Sequence, residues 1–381
     1  MDDGEAQLLT HNIGALREAV HLNDFAKTLR WFESHPSIIT NLTEISDNVL
    51  NKLVYILIEA VQRNRVDVFG VMLKYLFPGM TRRDTEHPHQ KLHVLVHALI
   101  ADGSLPCLTV FLHEGHDVNA VDPGGMTMLL YLAYKKGISR VKDYKEKLHF
   151  LVSQGADVNK EGERSWALAP LHTAVLYNSG ATLVRLLIES GADVNLQTNN
   201  SLCTPLYFAV DRAMPNIVNL LLENGADPCI GDVLGDTPVH MAAVRQTKGD
   251  DLLRMFVKWN APMNTVDSRG RTPLQWALSN WKAVGTRRIM LLMQAGCRCD
   301  RTRLHRFRNQ TAVKPKYRDR LSRLEDMLEM YLFQPRSLQD IACFRIREVL
   351  GRRLPKLVIQ LPIPDPIKRR VKLEHYFGRL E

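Results

Sequence analysis

The sequence predicts an all-α solenoid of stacked helical hairpins, closed by a helical tail of a different kind. Three observations lead there. A G-A-D-V-N-like pentapeptide returns along the chain, a T-P-L-H-like tetrapeptide keeps step with it, and the residues from 334 onward fit neither. Self-similarity at a period of 20–50 residues marks repeat architectures, in which each unit covers its neighbour's apolar face.

With 45% hydrophobic and 24% charged residues over 381 positions, the composition is that of a globular protein. The N-terminal stretch MDDGEAQLLTHN is acidic and polar, and no later run reaches the eighteen or so apolar residues of a membrane span. The expectation is a soluble intracellular protein with no membrane partner, cytoplasmic, with the nucleus also open. Cys107, Cys203, Cys229, Cys297, Cys299 and Cys343 are scattered, as buried reduced thiols would be. The net charge of +9 is concentrated: residues 298–323 hold ten Lys/Arg against two Asp.

Upstream of about residue 91 the turn signatures are missing. Leu16 and Val20 with Leu29 and Phe32, then Ile56 and Val61 with Val66 and Leu76, still pattern as helix pairs. Residues 1–90 therefore read as degenerate repeats, the atypical units expected at a solenoid end.

The recognisable units occupy residues 91–303. Their ends are Gly115-His-Asp-Val-Asn119, Gly155-Ala-Asp-Val-Asn159, Gly191-Ala-Asp-Val-Asn195, Gly225-Ala-Asp-Pro-Cys229, Asn260-Ala-Pro-Met-Asn264 and Gly296-Cys-Arg-Cys-Asp300, at intervals of 40, 36, 34, 35 and 36 residues. Their starts are Thr127-Met-Leu-Leu130, Ala169-Pro-Leu-His172, Thr204-Pro-Leu-Tyr207, Thr237-Pro-Val-His240 and Thr272-Pro-Leu-Gln275. Proline at the first helical position costs no hydrogen bond, and the preceding threonine can cap the free amides. Leu183, Val184, Leu186, Leu187 and Ile188 make an apolar second helix, which Gly191 ends in the left-handed conformation. From Ala133 to Gly155 is 22 residues against 17 from Ala174 to Gly191, the excess lying in residues 134–147. Such an insertion maps to a surface loop or a lengthened helix.

On these starts and ends the chain resembles the ankyrin repeat family. The resemblance implies a concave face lined by hairpin tips and first helices, with tips here at residues 121–126, 160–166, 196–201, 230–236 and 267–271. Trp166 is the candidate target anchor, because an aromatic in a loop suits an interface hot spot; packing beneath its own loop is the alternative. Trp276 and Trp281 lie on a helical pattern, as core or groove lining.

Catalytic signals are lacking. His172 and His240 fill the fourth place of the T-P-L-H motif, where histidine is a structural hydrogen-bonding residue, and no nucleophile is set beside either. Cys297 and Cys299 with His305 do not have structural zinc spacing. There is no phosphate loop, nucleophile elbow or dinucleotide fingerprint. No cofactor or metal is expected. Residues 304–333 read as a basic linker or capping helix; with no recognisable nucleic-acid fold, the basic segment is a solvated linker rather than a nucleic-acid site.

In the tail, residues 334–381, Ser337 and Asp340 make a capping-box-like start. Leu338, Ile341, Ala342, Ile346, Val349 and Leu350 fall on one helical stripe, Gly351 stops it, and Pro355, Pro362, Pro364 and Pro366 break any continuation. The order S-L-x-x-Φ-small-x-x-x-I-R followed by L-P-Φ-P resembles a SOCS box, and an ankyrin array followed by one is the architecture of the ankyrin repeat and SOCS box family. The resemblance implies that Leu338, Ile341, Ala342 and Ile346 face elongin C, accompanied by elongin B, and that Leu361, Pro362, Ile363 and Pro364 select the fifth cullin with its RING protein. The chain departs from the pattern in carrying Ala342 where Cys is usual and Cys343 where Arg is usual; Ala keeps the small size and loses the sulfur contacts.

The function expected is a non-catalytic substrate-recognition adaptor of a cullin-RING ubiquitin ligase, with a target protein the sequence does not name. The alternative is a plain ankyrin scaffold whose tail only caps the array.

Overall fold

The computed structural model describes residues 3–35, 47–76, 92–101, 103–122, 124–134, 141–163, 167–177 and 180–297, with isolated positions from 322 to 368. The described residues are helical, with turns and no strand. The chain divides into two compact units, Met1–Ala192 and Asp193–Glu381.

The first unit holds α1 (Asp3–Leu22), α2 (Phe25–Glu33), α3 (Asp47–Gln62), α4 (Val66–Leu76), α5 (Leu92–Ala101), α6 (Leu105–His113), α7 (Met128–Tyr134), α8 (Val141–Ser153), α9 (Pro170–Tyr177) and α10 (Ala181–Glu189). First helices stack on first helices, α1 on α3, α3 on α5, α5 on α7 and α7 on α9, while α2 packs on α4, α4 on α6 and α8 on α10. Leu16, Leu53, Leu57, Leu99, Leu130 and Ala174 are wholly buried along this inner row. Apart from α1 and α3, these helices run only seven to thirteen residues, marginal in isolation, so the repeat-to-repeat burial supplies the stability.

The second unit repeats the scheme with α11 (Pro205–Asp211), α12 (Pro215–Glu223), α13 (Pro238–Val244), α14 (Gly249–Lys258), α15 (Pro273–Ser279), α16 (Trp281–Val284) and α17 (Thr286–Gln294). Here α11 packs on α13 and α13 on α15, with α12 on α14 and α14 on α17.

Both ends of the hairpins follow from local chemistry. Thr204 Oγ1 accepts the Tyr207 amide at 3.2 Å, and Thr127 Oγ1 that of Leu130 at 3.2 Å. Thr272 and Gln275 form a reciprocal capping box. At the far end, Gly191 N–H reaches Ile188 O and Ala192 N–H reaches Leu187 O, the paired bonds of a Schellman stop. The same pair closes the helices at Gly155, Gly225, Asn260 and Gly296. Asn260 takes the glycine's place because asparagine tolerates the left-handed region, here φ 51°.

The insertion extends a helix. α8 runs thirteen residues against nine for α10. Its Lys147 is buried, and Nζ donates to Leu99 O at 3.3 Å and Ile100 O at 2.8 Å, meeting carbonyls at the end of α5.

Candidate protein-docking groove

Consecutive units are tied by their terminal asparagines. Asn119 Nδ2 donates to Gly155 O at 2.9 Å while its Oδ1 accepts the Asp157 amide at 2.8 Å. Asn195 repeats the clasp with Gly225 O at 3.3 Å and the Asp227 amide at 2.7 Å. These bonds fix the spacing at which successive tips are presented.

Three of the tips are closed by an aspartate that also holds an inner-helix aromatic. Asp122 Oδ1 accepts the Met126 amide at 2.7 Å, and its Oδ2 accepts the Tyr131 hydroxyl. Asp232 Oδ1 accepts the Leu234 and Asp236 amides at 2.9 Å each, and Oδ2 the Tyr207 hydroxyl at 3.1 Å. Asp267 Oδ1 accepts the Arg269 amide at 2.9 Å and that of Arg271 at 2.7 Å. Its Oδ2 accepts Arg271 Nε at 2.7 Å and Trp276 Nε1 at 2.9 Å. The sequence reading missed this device, although it has a signal: each of the three stands five residues before a helix-capping threonine, Thr127, Thr237 or Thr272. Main-chain bonds join neighbouring tips, Glu163 N–H to Gly125 O at 2.8 Å in the first unit, and Val233 N–H to Ser201 O at 3.0 Å and Ser268 N–H to Leu234 O at 2.9 Å in the second.

In the second unit, half-buried Phe208, Met241 and Trp276 occupy equivalent places on α11, α13 and α15. Leu202, Val233, Leu234 and Val266 stand exposed on the tips. An accessible apolar row of this kind, bordered by rigid tips, is suited to binding another protein.

The electrostatics are uneven. Burial opposes the Asp267 charge, but the amides of Arg271 and Arg269, the Trp276 indole N–H and the Arg271 guanidinium more than offset it, holding the pKa down to about 2. Asp236 is pushed up to about 6 by burial, then by Asp232 and Asp267. Burial lowers the His240 pKa; its Nδ1 lies 2.9 Å from Thr237 Oγ1 and its Nε2 2.9 Å from Arg271 O, which is the structural role read from the motif. His172 is fully buried on α9, Trp281 is in the core, and Trp276 lines the groove. Burial raises the Cys297 thiol, and among the described residues no group of His, Cys, Asp or Glu could hold a metal ion. No described helix is long and apolar enough to cross a membrane.

Of the other residues singled out in the sequence, Trp166, Leu338, Ile341, Ala342, Leu361, Pro362, Ile363 and Pro364 lie outside the described residues, as do Cys299 and His305. Ile346 is helical and half-buried. Lys368, also helical, donates from Nζ to Ile359 O at 3.0 Å.

Comparison with known proteins completes the site. A family model of ankyrin repeats in three copies matches residues 92–197 and 138–232, and a SOCS box model matches residues 334–372. The chain is 30% identical over 195 residues to human (Homo sapiens) neurogenic locus notch homolog protein 2, covering 48% of this chain and 8% of that protein. It is 29% identical over 156 residues to the Arabidopsis thaliana E3 ubiquitin-protein ligase KEG, 41% of this chain and 9% of that one. A putative ankyrin repeat protein of fowlpox virus (strain NVSL), FPV031, is 30% identical over 146 residues, 37% and 42% of the two chains. The match therefore spans less than a tenth of the notch protein and of the plant ligase, and less than half of the viral protein. Among solved structures, the ankyrin repeat domain of Bcl-3, a member of the IkappaB family, aligns with a TM-score of 0.49 at 23% identity, covering 62% of this chain and 96% of that one.

Proposed function

Because the chain carries ankyrin repeats and a C-terminal SOCS box, and so belongs to the ankyrin repeat and SOCS box family, we propose that it is the substrate-recognition adaptor of an elongin B/C–cullin-RING ubiquitin ligase. A SOCS box implies an elongin–cullin adaptor in general, and ankyrin repeats imply a protein-binding surface; neither module brings catalytic groups. The observation that carries the finer reading is that both short motifs, from Leu338 to Ile346 and from Leu361 to Pro364, fall inside the matched span of residues 334–372. The sequence spacing of Leu338, Ile341, Ala342 and Ile346 fits one apolar helical stripe, suited to a groove on elongin C with elongin B alongside. The prolines within Leu361, Pro362, Ile363 and Pro364 restrict the backbone, so a segment of this composition loses little entropy when the fifth cullin and its RING protein dock. On this reading residues 334–381 are the box, residues 304–333 the basic connection, and the repeats the target-holding face, with Trp166 a further candidate anchor. The ligase gains rate by raising the concentration of target lysines near the charged conjugating enzyme.

Titration calorimetry of the purified full chain with the elongin B–elongin C dimer tests this. Saturable one-to-one binding is expected, weakened at least a hundredfold by Leu338→Asp. No heat of binding with the intact chain would leave the tail as a cap on a scaffold protein.

A further inference from the structure

A pocket of about 310 Å³ opens between two successive tips and α15 in the second unit, walled by Leu234, Asp236, Arg269, Arg271 and Trp276. Its unusual member is Asp236. The residue is only 6% exposed, yet its carboxylate accepts no hydrogen bond and joins no ion pair among the described residues, and Oδ1 is fully enclosed without a partner. Its neighbours explain why. Arg271 Nε and Trp276 Nε1 are both spent on Asp267 Oδ2, and the Thr237 amide and hydroxyl face His240 Nδ1. A buried carboxylate left without donors is costly, and a site that keeps one is built to receive a donor from outside.

The donor's charge can be read from the surroundings. Asp236 lies near two other carboxylates, Asp232 and Asp267, which disfavour its charge ahead of the opposing Arg271 and Arg269, so a cation brought to it would be welcomed. Trp276 supplies an aromatic wall that already carries one cation, the Arg271 guanidinium 5.0 Å from the ring centroid. Leu234, 53% exposed at the rim, offers an apolar surface for an alkyl stem.

We propose that this pocket receives a lysine side chain from an extended segment of the target protein, the ammonium on Asp236 and the stem between Leu234 and Trp276. The inference rests on the repeats being the target-holding face. A compact ammonium suits the site better than a second planar guanidinium, since Arg271 already occupies a place beside the ring.

The test uses Nα-acetyl-lysine methylamide as probe, titrated into the full chain while the Trp276 indole N–H resonance is followed by NMR, assigned with Trp276→Phe. The Nζ-acetylated analogue and Nα-acetyl-glutamate methylamide serve as controls. The resonance is expected to shift saturably with the lysine probe, with at least fivefold weaker response to either control, and the response should vanish in Asp236→Asn. That variant removes an uncompensated charge and so stays folded. No shift at tens of millimolar probe, an equal response to the acetylated analogue, a response to the glutamate probe instead, or a lysine response that survives Asp236→Asn would each overturn the proposal. Elongin binding by Asp236→Asn, measured alongside, is expected to match the intact chain, so failure of the pocket is separable from failure of the adaptor reading.

Discussion

Gly125 and Gly155 both sit at φ +86°, yet replacing them with alanine should have different consequences. At Gly155 a Cβ meets nothing within 4 Å. Gly155→Ala therefore incurs only the left-handed backbone penalty of roughly 1–2 kcal/mol, reduced by the smaller entropy of the unfolded alanine chain, for a net cost of about 1 kcal/mol. At Gly125 a Cβ would lie 2.1 Å from Glu163 O and 2.6 Å from its carbonyl carbon. Backbone cannot swing aside as a side chain can. Gly125→Ala must part the two tips and break the 2.8 Å bond from Glu163 N–H to Gly125 O, adding about 1 kcal/mol for the bond and more for the displacement, for a total of roughly 3 kcal/mol. Urea unfolding of the two variants should separate them by about 2 kcal/mol. Amide exchange adds a local reading: the Glu163 amide should lose protection in Gly125→Ala and keep it in Gly155→Ala. Equal destabilisation, or an unchanged Glu163 amide, would refute the reasoning that tip-to-tip approach is what demands glycine at 125.

Three further outcomes follow from the same contacts. Asn119→Ala removes both bonds of a repeat clasp, and with water able to compete at this exposed site the cost should be about 1–2 kcal/mol in urea titration; a cost near zero would mean the clasp does not set the spacing. The two groove carboxylates should give opposite pH profiles, read from thermal unfolding between pH 2 and 8. The folded pKa of Asp267, about 2, lies below the unfolded value of 3.8, so its stabilisation is present above about pH 4 and lost as pH falls through 2, and Asp267→Asn should cost roughly 2 kcal/mol at pH 7 and little at pH 2. Asp236 is raised to about 6, so the native state holds its proton more tightly, stability falls between pH 4 and 6, and Asp236→Asn should gain on the intact chain as pH rises through that window. Burial raises the thiols of Cys107, Cys203 and Cys297, so they should resist iodoacetamide at pH 7.5 until the chain is unfolded; rapid native labelling at any of them would contradict the packing.

The helix starts at Thr204, Thr237 and Thr272 and the stops at Gly155, Gly191 and Gly225 were legible because each rests on residues adjacent in sequence, and Asn260 kept its place in the register despite not being glycine. The pairing of Leu16 and Val20 with Phe32 was also legible from periodicity. The groove was less so. That Asp122, Asp232 and Asp267 reach Tyr131, Tyr207 and Trp276 depends on a tip folding back over a helix start, which apolar periodicity does not encode. The burial of Asp236 depends on a tip 31 residues further along, at Asp267, and on where Arg271 spends its donors. The insertion at residues 134–147 left loop and helix open, and the carbonyls at Leu99 and Ile100 that receive Lys147 lie far away in sequence. Trp166 and most of the tail motif lie outside the described residues, so their reading rests on the sequence and on the family match.

The adaptor claim is tested most directly by affinity capture from cell lysate with three forms of the full chain: intact, Leu338→Asp, and Pro362→Ala with Pro364→Ala. The account predicts that the intact chain recovers elongin B, elongin C and the fifth cullin, that Leu338→Asp loses all three, and that the double proline variant keeps the elongins and loses the cullin. Capture of neither elongin nor cullin by the intact, folded chain, or equal capture by all three forms, would contradict it.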